Sequence, residues 1–494
     1  MTQAPAAETS FLGKFMVLKG AVRELWIVFG CKILAIVAYG LVNSTLVLWL
    51  SSDLGYSDVR AGFVIASWST AMTLFTIMVG SLVDAIGLRK AFLIGFGACM
   101  LARSVMTFCV SQWMALSLGL LPLALGEALM TPVMVAAIKR FATTPQRSMS
   151  FSIFYAMMNV GFAISGYTFD KVRTALGEYG HYTLPVLGVT LTTYQTLIFL
   201  GFLFTIPNFL IIYFFLRPGV EVTDEGVQIK VEQPKYQGEP VVKAMGFAFR
   251  DAFRDWLRIF SSLWTQPAFY RFLAFLALVV GVRLIFYHMH YTFPKYGIRE
   301  LGEGAPIGRI FGVLNPVLIV ILVPIVGALT QKMSAYKVVI IGSFIAACSV
   351  FFMAMPPAWF QPLADGWLGD LIAHRWLGVK SAVVNPLYVS IVFSMVLLSV
   401  GEAFYSPRLY EYPAAIAPKG QEASYMSLSL LPYFVAKFFV GTISGFLLQT
   451  FCPAQGPRDS ATMWLIIGIM AMISPIGLLV CRRWIQVHEE GREE

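Results

Sequence analysis

Apolar residues in this chain gather into runs of about 20 residues, the length a helix needs to cross the hydrocarbon of a bilayer. Twelve such runs recur from one end to the other: Leu25–Leu50, Ala61–Leu82, Ala91–Val110, Trp113–Ile138, Met149–Phe169, Tyr194–Phe215, Phe272–Thr292, Ile310–Thr330, Val338–Met355, Pro386–Ile416, Ala423–Leu448 and Met463–Cys481. None alternates apolar and polar residues with a period of two, so a closed barrel is excluded. The pattern predicts twelve transmembrane helices and an all-α integral membrane protein. Composition agrees, because a chain of 494 residues that is 58% hydrophobic and 13% charged cannot hide its apolar surface in a soluble core.

The polar intervals set the orientation. With the N-terminus inside, Lys14, Lys19, Arg23, Arg89, Lys90, Lys139, Arg140, Arg147, Lys332, Lys337, Arg408, Lys419, Arg482 and Arg483 all fall on the cytoplasmic side, and the opposite intervals hold far fewer. Cytoplasmic loops carry the excess of Lys and Arg, so both termini are expected in the cytoplasm. The net charge of +9 then belongs to basic flanks facing anionic lipid headgroups, and no nucleic-acid partner is expected. Met1–Ser10 is polar and the first run is long enough to span, so that helix reads as its own targeting signal. Compactness points to a bacterial inner membrane. Cys31, Cys99, Cys109, Cys348, Cys452 and Cys481 lack the spacing of a metal site or disulfide framework, and no cofactor or metal is expected.

The longest polar interval divides six runs from six. The expected organisation is a cytoplasmic segment over 1–24, a six-helix bundle over 25–216, a cytoplasmic linker over 217–270, a second six-helix bundle over 271–482 and a tail over 483–494. Two such bundles are the arrangement of related halves that rock about a central site. In the linker, Phe249, Phe253, Trp256 and Phe260 recur at helical spacing opposite Arg250, Arg254 and Arg258, which predicts an amphipathic helix in the cytoplasmic interface that tethers the bundles. The intervals near Asp170–Thr193 and Trp359–Ala382 are longer than the other outside turns and read as lids or slack.

Two sets of motifs carry identity. After the second run, Gly80-Ser81-Leu82-Val83-Asp84-Ala85-Ile86-Gly87-Leu88-Arg89-Lys90 resembles the signature loop of the major facilitator superfamily. Gly80 and Gly87 permit close packing and a tight turn, Arg89 and Lys90 stay on the cytoplasmic side, and Asp84 reads as a latch of the inner gate or as a turn residue. Gly327-Ala328-Leu329-Thr330-Gln331-Lys332 is a weaker echo in the second half. More narrowly, Phe151-Ser152-Ile153-Phe154-Tyr155-Ala156-Met157-Met158-Asn159-Val160-Gly161 resembles the fifth-helix signature of the proton-coupled oligopeptide transporter family. Asn315-Pro316 with Pro324 resembles its eighth helix, and Gly401-Glu402-Ala403-Phe404-Tyr405-Ser406-Pro407 with Ala417-Pro418 its tenth. The resemblance implies alternating-access transport, two six-helix bundles and an acidic residue, here Glu402, facing the substrate amine. The chain departs from the family at its first-helix E-x-x-E-R, where Cys31-Lys32-Ile33-Leu34-Ala35 stands, and at its fourth-helix lysine, where Thr131 precedes Pro132.

Ionisable residues inside the runs are the remaining signal, since each costs roughly 2.5–3.5 kcal/mol to insert and calls for a partner or a wet cavity. Lys32 and Glu127 sit where the resembled family has charges of the opposite sign, and are read as a reversed pair that either switches or braces the first bundle. Lys32, Tyr39 and Asn43 share one helix face, as a cavity-lining stripe would. Arg283, Glu402 and Lys437 form a second charged set, in which Glu402 binds a substrate cation, carries a proton, or bridges to Arg283 or Lys437. Tyr155 and Asn159 share a face that lines the cavity or packs. Arg103 is expected to snorkel outward. His288 and His290, two residues apart near an outer helix end, do not share a helix face, so no metal site is expected of them; an outer gate sensitive to pH is a secondary alternative.

These readings converge on a monomeric secondary transporter in the lipid bilayer. Its expected partners are protons and a small organic solute, peptide-like or amino-acid-like. An exporter of amphipathic compounds and a transport-less receptor on the same fold are the alternatives. No P-loop or nucleophile constellation supports a pump or an enzyme.

Overall fold

Helices follow the apolar runs one for one. The computed structural model describes residues 18–185, 188–223, 226–229, 235–236, 239–330, 332–416 and 431–486. Six spanning helices form a first bundle: α1 (Arg23–Ser52), α2 (Asp58–Ile86), α3 (Leu88–Phe108), α4 (Gln112–Phe141), α5 (Thr144–Leu176) and α6 (Thr193–Phe215). An amphipathic helix α7 (Val241–Leu263) leads to the second bundle. That bundle comprises α8 (Pro267–Tyr291), a short α9 (Phe293–Leu301), α10 (Arg309–Leu329), α11 (Ala335–Ala354), α12 (Leu387–Ile416), α13 (Leu431–Phe451) and α14 (Ser460–Val480). Among the described residues ten helices are long and apolar enough to cross a membrane, and α2 and α13 complete the twelve.

The starts of these helices are written locally. Thr143 with Gln146 and Thr192 with Gln195 form capping boxes that satisfy the first backbone N–H groups of α5 and α6. Ser57, Ser334 and Asp459 accept from the first turns of α2, α11 and α14. Between α2 and α3, Gly87 turns the chain at φ +86°, a conformation that side chains disfavour. Pro132, Pro207, Pro324 and Pro475 sit inside helices, where a missing N–H bends the rod.

Several boundaries differ from the sequence reading. α5 starts at Thr144 and continues to Leu176, so Asp170, expected in a loop, is helical. The interval that follows is a hairpin of β1 (His181–Thr183) and β2 (Thr190–Thr192). The interval near 359–382 winds into short helical turns rather than lying slack. Ala417-Pro418 and the start of the eleventh run lie outside the described residues.

In the first bundle α1 packs on α5 and α6, and α3 on α4 and α6; in the second α11 packs on α12 and α14, and α8 on α13 and α14. Two seams join the bundles, α2 against α13 and α5 against α10. α7 lies along α2 with Ala244 and Ala248 buried and Phe249 in ring contact with Phe75. Arg250, Arg254 and Arg258 are exposed, as is Phe253, while the side chains of Trp256 and Phe260 lie outside the described residues.

Candidate functional site

The start of α1 and the end of α14 share one face of the bundles, the terminal face, and at the opposite, far face the seams are tight. A Cβ at Gly62 would collide with the carbonyl oxygen of Gly441, and one at Gly445 with the backbone of Asp58 and Val59. In the other seam, a Cβ at Gly166 would collide with Gly308 and Gly312. Glycine on both sides lets backbones meet, which is how helices associate closely where no hydrophobic force drives them together.

Two ion clusters fasten the same face. Asp58, at the start of α2, receives Lys295 at 2.7 Å and Arg299 at 2.8 Å from α9. Burial alone would raise the Asp58 carboxyl; the hydrogen bond from Arg299 and the charges of Lys295 and Arg299 outweigh it and hold it below the ordinary range. In the second cluster Asp170 accepts the backbone N–H of Gly308 at 2.8 Å and of Arg309 at 2.6 Å, capping the π-helical start of α10 across the seam. Arg173, fully buried, bonds Glu178 at 2.9 Å and the Ala305 carbonyl at 3.0 Å. Burial opposes ionisation of Glu178, but the hydrogen bond and charge of Arg173 prevail and lower its carboxyl. By contrast, at the terminal face Arg89 bonds the Tyr213 carbonyl, Arg217 bonds Glu24 and Arg408 bonds Thr330, each within its own bundle.

Beneath the α5/α10 crossing, toward the terminal face, lies a small cavity of about 60 Å³. Tyr155 and Asn159 line it from α5, Asn315 from α10, His290 from α8 and Glu402 from α12. Asn315 Nδ2 donates to Glu402 at 3.0 Å and to Ser399 at 3.0 Å, which orients the carboxylate toward the seam. Asn159 Nδ2 donates to the Tyr155 carbonyl at 2.9 Å. The structure thus brings Tyr155, Asn159 and Glu402 together, and adds Asn315 and His290 as wall residues. His290 is placed differently from its expectation: it faces this cavity between Phe286 and Phe311, at 4.9 and 4.7 Å. His288 instead turns away and bonds Thr292 at 2.7 Å.

The first bundle holds its own buried charges. The expected Lys32–Glu127 pair is corrected: the ion-pair partner of Glu127 is Arg103, which Thr205 also accepts at 2.5 Å. Arg103 is 2% exposed and does not snorkel, because α3 packed on α4 and α6 brings it level with Glu127. Lys32 lies over the Phe154 ring at 4.3 Å and interacts with Glu127 electrostatically. Tyr39 meets Phe162 edge-on at 6.3 Å, and Asn43 is buried farther along α1.

In the second bundle Arg283 lies over Tyr405 and Tyr433, at 5.7 and 5.2 Å, and acts electrostatically on Glu402. Lys437 reaches across the other seam to Thr73 of α2 at 3.1 Å. Of the loop motif, Gly87 makes the turn, Arg89 is half-buried and Lys90 exposed; the surroundings of Gly80 and the side chain of Asp84 lie outside what the structure describes. Among the described residues no cluster of His, Cys, Asp and Glu is placed to hold a metal.

The clamps escaped the sequence reading because each joins residues far apart in the chain: Asp58 to Lys295 and Arg299, Asp170 to Arg309. Their one local signal was a charged residue at the far-face end of a helix, Asp58 at the start of α2 and Asp170 near the end of α5.

Comparison places this geometry among known proteins. The profile of the Major Facilitator Superfamily matches residues 28–372. No curated relative matches the chain by sequence. Similar solved structures include a POT family transporter in complex with 5-aminolevulinic acid, at TM-score 0.66 and 16% identity, covering 97% of this chain and 99% of that one. A POT family transporter in complex with a thioalcohol-conjugated peptide has TM-score 0.65 and 16% identity over 94% of this chain and 97% of that one. The peptide transporter POT in complex with sulfate has TM-score 0.65 and 15% identity over 96% and 98%.

Proposed function

Because the chain belongs to the Major Facilitator Superfamily, we propose that it carries a small organic solute across the membrane by proton-coupled symport, with Glu402 at the centre of the exchange. The observation that supports this most is the position of Glu402: buried, held by Asn315, and facing Tyr155 and Asn159 of the other bundle across a cavity. A carboxylate there binds the amine of a peptide-like or amino-acid-like solute. Once protonated, it crosses the low-dielectric seam at lower cost, so proton and substrate bias the same two-state element. That related folds hold peptides and 5-aminolevulinic acid, which carry amines, supports the substrate class.

In this reading the structure is inward-facing. The far face is the outer side, both termini are cytoplasmic, and the membrane is a bacterial inner membrane. Each chain holds a complete cavity and works as a monomer with protons and solute as its partners. Asp84, with Gly80, Gly87, Arg89 and Lys90, latches the inner gate in the opposite state. Lys32, Tyr39 and Asn43 form the polar face of α1 that accompanies the exchange, with Lys32 biasing the Arg103–Glu127 pair.

The test is uptake into proteoliposomes under an inward proton gradient, using labelled dipeptides, amino acids and 5-aminolevulinic acid. Accumulation that an uncoupler abolishes and Glu402→Gln loses is the expected result. Accumulation that Glu402→Gln retains at full pH dependence removes Glu402 from the coupling, and accumulation only under a reversed gradient makes the protein an exporter.

A further inference from the structure

The second seam carries a feature that the reading of Glu402 leaves unused. On α13, one turn toward the terminal face from the close approach of Gly441 to α2, stands Lys437. Its ammonium donates to Thr73 Oγ1 at 3.1 Å and lies over the Tyr287 ring at 5.8 Å. Thr73 gives its own hydroxyl proton to the Ser69 carbonyl, so toward the lysine it acts only as an acceptor. Among the described residues no carboxylate lies within ion-pair distance of Lys437, although Arg103 has Glu127 and Lys295 has Asp58. A lysine has three donors, and a hydroxyl and a ring face engage it only in part. Cations at this depth face a partner or a wet path, and neutral partners leave the charge uncompensated.

The location is as telling as the company. Lys437 lies on the terminal-face side of the α2/α13 glycine crossing, as Asn159 and Asn315 lie on the terminal-face side of the crossing of α5 and α10. The ring of Tyr287 stacks on Tyr291, whose hydroxyl meets Ser69 at 2.6 Å, one turn of α2 from Thr73. On the α8 side Lys437 acts electrostatically on His290, which lines the Glu402 cavity. Arg283 interacts with Tyr287 and with Glu402, closing the polar ring between the two seams.

We infer that Lys437, with Thr73 and Tyr287, binds an anionic group of the transported solute, a carboxylate or another oxyanion, at the end of the site opposite Glu402. The solute is then a zwitterion whose two charges engage different helices of the second bundle while Thr73 and Asn159 supply contacts from the first. This rests on the central cavity being the substrate site. An anion at Lys437 gives the cation the partner the protein withholds, and it bridges the seam that must reopen, so binding and conformational change are linked.

The measurement is thermal stabilisation of the purified full chain by dialanine, trialanine, 3-aminopropanoate and 5-aminopentanoate, each against its carboxamide and its N-acetyl counterpart. Wild-type protein should favour at least one acid over its amide by roughly ten-fold or more. Lys437→Gln should bring that ratio near unity, and Lys437→Arg should keep it, while the preference over the N-acetyl form, which reads Glu402, stays in both. A purely structural lysine would weaken every ligand alike and leave the ratio intact, which overturns the inference, as does a wild-type protein that favours none of the acids. If Lys437→Gln erases the acid preference while Glu402→Gln leaves the amine preference untouched, the anion site stands and the assignment of Glu402 falls.

Discussion

At the scale of single residues, the buried Arg103–Glu127 pair makes the most direct energetic claim. Removing one member of a buried pair strands the other charge and typically costs about 3–5 kcal/mol, whereas replacing both by apolar groups is often neutral. Arg103→Met and Glu127→Leu are therefore each expected to lower the thermal midpoint markedly, and the double variant to recover most of the loss. A double-mutant cycle on the purified protein reads this; additive losses would mean the two are not a coupled unit. The sequence showed that Glu127 needed a cation and offered Lys32, because helices one and four carry opposite charges in the resembled family. Arg103 stands toward the outer end of its run in the sequence, and position along a run does not register how α3 sits against α4 and α6. Glu402 stands out in the sequence as an acid inside an apolar run and through the resemblance of its helix, and Tyr155 and Asn159 through the resembled fifth-helix string; the structure brings all three to one cavity. His290 does not stand out, since nothing local distinguishes a cavity wall from a helix end.

Helices pose a different problem, since the elements themselves were easy to read and their contacts were not. Hydrophobic runs and capping residues such as Thr143 and Thr192 announce where a helix starts. They say nothing about which of 41 glycines faces another backbone. The structure answers that: Gly62 with Gly441 and Gly445 in one seam, Gly166 with Gly308 and Gly312 in the other. A side chain in either crossing would hold the bundles apart at the far face. Gly441→Leu is expected to lower transport at least several-fold while the protein stays monodisperse in detergent. Gly327→Leu, where a Cβ meets open space, serves as the matched control. Equal transport by both would show that the crossing does not seal the far face.

For the whole molecule, the question is what keeps the far face shut until substrate arrives. Asp58 answers it electrostatically. Its carboxyl lies below the ordinary value of 3.8, so the ionised form is the one that folding favours. The stability it lends is complete above that ordinary value and fades only as pH falls through the lowered one, so the clamp to Lys295 and Arg299 holds across the physiological range. Mild acid at the far face therefore does not release it, and in the proposed cycle the proton is expected to act at Glu402 instead. Asp58→Asn is different, because it leaves Lys295 and Arg299 as two buried like charges on one short helix. Ser44, beside the α5/α10 crossing, offers a reporter: Ser44→Cys in a cysteine-free background should resist an impermeant maleimide added from the far side. Adding Asp58→Asn should speed labelling several-fold at pH 7, as expected when a two-state equilibrium loses a term that favours one side. The Ser44→Cys protein with Asp58 intact should stay protected between pH 5 and 8. Labelling that rises in this protein as the outside is acidified to pH 5 would place the proton's action at the clamp instead of at Glu402, and the order of events in the cycle would reverse.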